Sequence, residues 1–216
     1  MDKKKIAYLQ FPGSNTENET KNILQKHGMV PSGHFWNDDP ELLNNYDGYI
    51  ILGGFSFEDR SRSGIIASLE PVMNELKKQA LLGKPILGIC NGAQILVESG
   101  LVPGNQDFQT LVSLTDNKRM IGNRIVGTGY YNKWCYIKPC KNTKSAFVKK
   151  GGSPMRVPIA HAEGRFLFNS DLEDEILKNN LITYKYCDSS GNLSNDFPIN
   201  PNGSLHSTAA LSKPNG

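Results

Sequence analysis

Short apolar runs alternate with amphipathic segments through the first hundred residues of the chain. The apolar runs predict four strands, which lie at Lys5–Phe11, Ser32–Trp36, Gly48–Leu52 and Pro85–Ile89. The segments between them predict helices that follow Thr16, cover Ile65–Leu82 with a break at Pro71, and contain Gln94–Glu98. Thr16 and Glu19 have the spacing of a capping box, with Thr16 as N-cap. Because strands and helices alternate, we expect an α/β fold with a mostly parallel central sheet flanked by helices.

The second half of the chain has a different pattern. Residues 108–115, 124–137 and 155–160 have the character of antiparallel strands, and a helix at 171–180 precedes a strand at Leu181–Tyr186. From Cys187 to Gly216 the chain is rich in Asn, Ser, Gly and Pro, which predicts a loop. We expect a single domain over residues 1–216, whose β-rich second half completes the sheet.

Composition excludes several classes of function. The 216 residues are 38% hydrophobic, and the net charge of +3 comes from scattered basic residues, so a nucleic-acid partner is not expected. There is no apolar stretch of about 20 residues, which argues against a membrane span. The charged N-terminus enters a strand directly, which argues against a signal peptide. Four cysteines without a CxxC pair predict a reducing, cytoplasmic environment and no metal site.

One cysteine stands where a strand is predicted to turn into a helix. The segment Gly88-Ile89-Cys90-Asn91-Gly92 has the form of a nucleophile elbow, G-x-S-x-G, with a thiol in place of the hydroxyl. The following helix N-terminus favours a thiolate, and the N–H after the nucleophile can help to hold an oxyanion. The alternative is a buried structural cysteine at the end of a strand. The flanking glycines favour the nucleophile.

Two further features extend this candidate site. Gly53-Gly54 ends the preceding strand and can supply another N–H to an oxyanion hole, although such a pair is often only a turn. A thiol nucleophile usually needs a base, and of the four histidines His161 stands out because Glu163 lies two residues on. The other three are interpreted as a helix-end residue (His27), a structural residue (His34) and a residue in a loose tail (His206).

The motifs together resemble those of a known family. They comprise Phe11-Pro12-Gly13-Ser14-Asn15, Gly53-Gly54-Phe55-Ser56-Phe57 with Asp59-Arg60 and Gly64, Gly88-Ile89-Cys90-Asn91-Gly92 with Gln94, Ile159-Ala160-His161 with Glu163-Gly164-Arg165, and Asn200-Pro201-Asn202-Gly203-Ser204. In this order they resemble the glutaminase subunits of phosphoribosylformylglycinamidine synthase. These are triad-type, class I glutamine amidotransferases with a flavodoxin-like fold.

The resemblance implies an activity and partners. The cysteine attacks the glutamine amide, forms a glutamyl thioester and releases ammonia. A separate synthetase subunit uses this ammonia and ATP, with Mg²⁺, to convert formylglycinamide ribonucleotide into its amidine in purine biosynthesis. A small accessory subunit helps to assemble the complex, and the glutaminase subunit itself is expected to bind no cofactor.

The resemblance also assigns roles to residues. Cys90 is the nucleophile, the backbone around Gly54, Phe55 and Asn91 supplies oxyanion donors, and Gln94 lies beside the glutamine pocket. His161 and Glu163 are placed near the glutamine or the ammonia exit. Ala93 departs from the family, which generally has a larger residue there, and this is expected to change packing rather than chemistry.

The family's catalytic His and Glu come from a C-terminal motif that follows Asn-Pro-Asn-Gly-Ser, and the chain ends at Gly216 before it. Three explanations stay open: a fragment of a longer chain, a truncated and inactive subunit, or a site in which His161 and Glu163 replace the usual partners of Cys90. The alternatives for function are accordingly an inactive binding or assembly subunit and a stand-alone cysteine hydrolase of similar fold.

Overall fold

A computed structural model describes residues 2–149 and 151–216. The chain divides into two units, of which the first ends at Leu101 and the second begins at Val102. Each unit is described by itself, and the single-domain organisation stays a prediction. Among the described residues, no helix is long and apolar enough to cross a membrane.

The first unit is built on a parallel sheet. Its four strands are β1 (Lys5–Gln10), β2 (Val30–Phe35), β3 (Gly48–Ile51) and β4 (Ile86–Gly88), in the order β2-β1-β3-β4. Its helices are α1 (Glu17–Lys26), α2 (Ile65–Ser68), α3 (Pro71–Leu81) and α4 (Asn91–Glu98), with short 3₁₀ helices at Pro40–Asn45 and Ser56–Asp59. Strands and helices alternate as the apolar pattern predicts, so the α/β fold is confirmed.

Apolar residues of the central strands fill the core of this unit. Ala7, Leu9 and Ile51 are almost completely buried, as is Ile95 of α4. Pro71 separates α2 from α3 and stands at the first position of α3, where its missing N–H costs no helical hydrogen bond. The predicted interruption at Pro71 is therefore confirmed, and its cause is a helix start.

The predicted capping box at the start of α1 is wrong. Thr16 is the N-cap, but its side chain makes no capping hydrogen bond. Its hydroxyl instead accepts a hydrogen bond from the Gly53 N–H at 3.2 Å. The side chain thus ties the start of α1 to the loop after β3.

The second unit is mainly antiparallel. Its strands are β5 (Ser113–Asp116), β6 (Lys118–Ile121), β7 (Arg124–Thr128), β8 (Tyr131–Pro139), β9 (Met155–His161), β10 (Glu163–Leu167), β11 (Ile182–Cys187) and β12 (Thr208–Leu211). They form a sheet in the order β12-β11-β8-β9 and two pairs, β10-β5 and β6-β7. Helix α5 (Ser170–Lys178) precedes β11, and a short 3₁₀ helix at Leu205–Ser207 precedes β12. The β-rich character is confirmed, whereas β6 and β10 lie outside the predicted strands.

The prediction that residues from Cys187 onward form only a loop is wrong. β12 pairs antiparallel with β11. Before it, Asn200, Asn202 and Ser204 are buried, and their side chains form a hydrogen-bonded scaffold. The Asn202 amide donates to the Gly164 carbonyl of β10 at 2.7 Å. Polar residues in this segment therefore satisfy buried backbone groups instead of facing solvent.

His206 is also fixed in the second unit. Its Nε2 atom lies 2.7 Å from a carboxylate oxygen of Glu173 in α5, and its ring stacks on Phe168. These contacts hold the segment before β12 against α5. The interpretation of His206 as a residue in a loose tail is therefore wrong.

Candidate active site

Cys90 occupies the sharp turn between β4 and α4. It is exposed, and it adopts φ 58° and ψ −118°, a left-handed backbone conformation that is unfavourable for a residue with a Cβ atom. Such strain is found at functional sites, where the surrounding structure maintains it. The turn places the thiol at the carboxyl end of a parallel strand and directly before the N-terminus of a helix, where α/β proteins bind ligands.

The two glycines that flank Cys90 are required by close backbone contacts. A Cβ atom on Gly92 would lie 2.1 Å from the carbonyl oxygen of Ile51 in β3. A Cβ atom on Gly88 would lie 2.4 Å from the carbonyl oxygen of Gly92. Glycine therefore allows α4 to start tightly against β3, which produces the elbow.

The loop after β3 passes beside this turn. A Cβ atom on Gly53 would lie 3.4 Å from the Cβ atom of Cys90, so the backbone of the loop runs next to the thiol. Gly54 has φ 125°, and a Cβ atom there would lie 2.4 Å from the carbonyl oxygen of Gly13. The loop that contains Gly53-Gly54 is thus packed between Cys90 and the turn after β1.

Several N–H groups of this loop have partners within the protein. The Gly53 N–H donates to Thr16, the Ser56 N–H to the Asn91 side-chain oxygen at 3.0 Å, and the Phe57 N–H to the Pro12 carbonyl at 2.7 Å. Gly54 and Phe55 lie between these tethered positions. Their assignment as oxyanion donors stays a prediction, and their place beside Cys90 is compatible with it.

Asn91 contributes a side chain that the sequence did not reveal. It is almost completely buried, and its NH₂ group donates to Asp59 Oδ1 at 3.2 Å and to Gln94 Oε1 at 2.9 Å. Together with the bond from Ser56, this amide joins the start of α4 to the loop after β3. Gln94 is likewise buried and lies against Asn91 one turn along the helix.

His161 and Glu163 lie in the second unit, at the end of β9 and the start of β10. The His161 ring packs over Gly164, where a Cβ atom would lie 1.9 Å from its Cε1 atom. Its Nδ1 atom is buried and has no hydrogen-bond partner among the described residues, and burial lowers the pKa of His161 to about 4. The Asn117 side chain secures the turn by bonding the His161 carbonyl and the Gly164 N–H.

The first unit is an α/β unit with a strained, exposed cysteine between a parallel strand and a helix, and the comparisons identify its class as the glutamine amidotransferases. The family model of the CobB/CobQ-like glutamine amidotransferase domain matches residues 3–216. Phosphoribosylformylglycinamidine synthase subunit PurQ of Methanothrix thermoacetophila is 41% identical, over 98% of this chain and 82% of the relative. The subunit of the same name from Methanocaldococcus jannaschii is 37% identical, over 98% and 84%.

The chain therefore belongs to the PurQ family, and it is the glutamine amidotransferase component of phosphoribosylformylglycinamidine synthase, which acts in purine biosynthesis. A solved structure agrees with this assignment. The structure of PurLQS from Thermotoga maritima matches with a TM-score of 0.70 and 27% identity, over 96% of this chain and 80% of that chain. The resemblance drawn from the sequence motifs is confirmed.

Proposed function

We propose that Cys90 is the nucleophile that releases ammonia from glutamine. The Cys90 thiol ionises, the thiolate attacks the side-chain amide carbon, the C–N bond breaks, and the nitrogen leaves as ammonia with the proton that the thiol gave up. A glutamyl thioester remains on Cys90. Water then attacks the thioester carbonyl, the C–S bond breaks, and glutamate leaves while the thiol is regenerated.

The observation that carries this proposal is the conformation of Cys90 beside the loop at Gly53-Gly54. The thiol is exposed, the start of α4 stabilises negative charge near the sulfur, and a backbone loop borders it. Gly54, Phe55 and the Asn91 N–H are proposed to stabilise the oxyanion of the tetrahedral intermediate, and Gln94 to border the glutamine pocket.

We propose that His161 is not the general base that takes a proton from the Cys90 thiol. An efficient general base has a pKa near the operating pH, whereas burial lowers the pKa of His161 to about 4. Its imidazole is therefore a weak proton acceptor at pH 7. We propose that His161 and Glu163 act near the glutamine or along the path by which ammonia leaves.

We also propose the partners and the cellular setting. The ammonia passes to a PurL-type synthetase subunit, and a small PurS-type accessory subunit assists assembly; the similarity to the PurLQS structure from Thermotoga maritima supports this composition. ATP and Mg²⁺ act on the synthetase, and the glutaminase subunit uses no cofactor. The four free cysteines support a reducing, cytoplasmic location.

The test is glutamate formation from glutamine by the subunit assembled with its synthetase partners. Cys90→Ala should abolish glutamine-dependent activity, whereas synthesis from added ammonia, which takes place on the partner, should continue. A loss of ammonia-dependent synthesis in Cys90→Ala would show that the cysteine is structural. Glutamate formation that does not depend on Cys90 would refute its role as the nucleophile.

A further inference from the structure

The loop beside Cys90 contains a strained turn. Phe57, Glu58 and Asp59 follow one another with φ of 52°, 61° and 50°, although none of them is a glycine. Side chains with a Cβ atom avoid this region, and each such residue carries a free-energy cost. The turn therefore depends on contacts from the surrounding structure to keep its conformation.

The Asn91 side-chain amide forms hydrogen bonds with the residue before this turn and with the last residue of the turn. Its side-chain oxygen accepts from the Ser56 N–H at 3.0 Å, just before the turn, and its NH₂ group donates to Asp59 at 3.2 Å, within its last part. A single buried amide thus closes the turn. Because Asn91 is the residue after Cys90, the same amide connects the loop directly to the nucleophile.

We propose that the Asn91 side chain is a positioning residue, which fixes the backbone of Gly54 and Phe55 relative to the Cys90 thiol. The proposal rests on the proposed role of Cys90. Ser56 follows Phe55 directly, so the bond from the Ser56 N–H to Asn91 sets where the preceding two residues lie. On the N-terminal side of Gly54 and Phe55, the Gly53 N–H donates a hydrogen bond to the Thr16 hydroxyl at 3.2 Å, which fixes the position of Gly53. The donors are thereby placed before glutamine arrives, which is what oxyanion stabilisation requires.

The polarity of these hydrogen bonds gives a specific test. In Asn91→Asp the Ser56 N–H keeps an acceptor, but a carboxylate then faces the Asp59 carboxylate and can no longer donate to Asp59. In the double variant Asn91→Asp/Asp59→Asn the bond between the two side chains is restored with reversed polarity, and the Gln94 amide can rotate to donate. Asp59→Asn alone keeps the bond, because the new amide oxygen still accepts from Asn91.

The measurements are kcat and KM for glutamate formation by the complete synthase, together with the rate at which iodoacetamide alkylates Cys90. Asn91→Asp should lower kcat about 10- to 100-fold with a smaller change in KM, since losing one oxyanion donor costs about 100- to 1,000-fold. Asp59→Asn should stay within about 3-fold of wild type, and the double variant should recover most of the loss. Alkylation should change less than kcat, because the thiol itself is untouched.

A destabilised control separates positioning from general loss of folding. Gln79 is a buried amide that donates to Glu75 and Asn44 and accepts from the Tyr49 hydroxyl, and these three partners lie outside the loop at Gly53-Gly54. Gln79→Glu introduces an acid beside Glu75, so it should lower the unfolding temperature while leaving kcat close to wild type. A kcat loss in Gln79→Glu as large as that in Asn91→Asp would overturn the positioning role.

Two other results would also overturn the proposal. A wild-type kcat in Asn91→Asp would show that the amide does not position the loop, and a double variant as slow as Asn91→Asp would show that its bond to Asp59 is not responsible. Cys90→Ala, measured in the same series, identifies failure of the proposed function itself. If wild type and Cys90→Ala form glutamate equally, the nucleophile assignment is wrong; if only wild type does, the Asn91 variants test the inference alone.

Discussion

Burial of the His161 imidazole predicts that the stability of this protein falls on mild acidification. The ordinary pKa is 6.5, and the folded protein lowers it to about 4 because burial disfavours the charged ring. The unfolded chain therefore binds a proton more readily than the folded protein. The contribution of His161 to the free energy of unfolding is fully present above pH 6.5 and is lost progressively as the pH falls towards 4.

The size of the effect follows from these two pKa values. Linkage predicts that His161 lowers the free energy of unfolding by about 2 kcal/mol between pH 7.5 and pH 5, and by about 3 kcal/mol at pH 4. His161→Gln removes the titrating group while it keeps a polar side chain. The difference in stability between wild type and His161→Gln should thus depend on pH by this amount.

The assay is urea unfolding of both proteins at a series of pH values, with the imidazole of His161 followed by NMR. Wild type should lose more stability than His161→Gln as the pH falls, and the His161 resonances should titrate well below 6.5. Parallel pH profiles for the two proteins, or a His161 that titrates near 6.5, would show that burial does not lower the pKa of this imidazole. A normal pKa would also return His161 to the candidates for general base.

Two further predictions concern the backbone around Cys90. Gly92→Ala places a Cβ atom 2.1 Å from the Ile51 carbonyl oxygen, so α4 must move away from β3; we expect about 3 kcal/mol of lost stability by thermal unfolding, together with loss of glutamine turnover. An unchanged unfolding temperature would show that the elbow does not need this glycine. Thr16→Val removes the acceptor of the Gly53 N–H and should cost about 1 kcal/mol in urea unfolding, whereas Thr16→Ser keeps the acceptor and should cost less. Equal losses in the two Thr16 variants would contradict a role for the hydroxyl.

Several features of the first unit could be predicted because they depend on neighbouring residues. Apolar runs of strand length, separated by amphipathic segments, indicate a parallel sheet with helices whatever their exact ends. Pro71 ends one helical segment and starts the next because of its own ring and missing N–H. The glycines around Cys90 are close in sequence, so the strand–turn–helix elbow could be recognised locally.

Features of the second unit were harder to predict because their partners are distant in the chain. β12 lies in a segment whose composition is typical of a loop, and it becomes a strand by pairing with β11. β10 was missed, and the side chains of Asn202 and Ser204, nearly forty residues further on, bond its backbone. Composition reports local preference, whereas pairing across such distances is decided by the assembled fold.

The α/β order of the first unit, the elbow at Cys90 and, through the motifs, the family could all be read from the amino-acid sequence. The roles of the polar side chains became clear only in the folded protein. Thr16 has the local pattern of a helix cap yet bonds Gly53, 37 residues away, and Asn91 closes a turn at Ser56 and Asp59. Hydrophobic periodicity records which face of an element is buried. The partner of a buried polar group depends on which distant backbone passes it, and the folded chain alone fixes that.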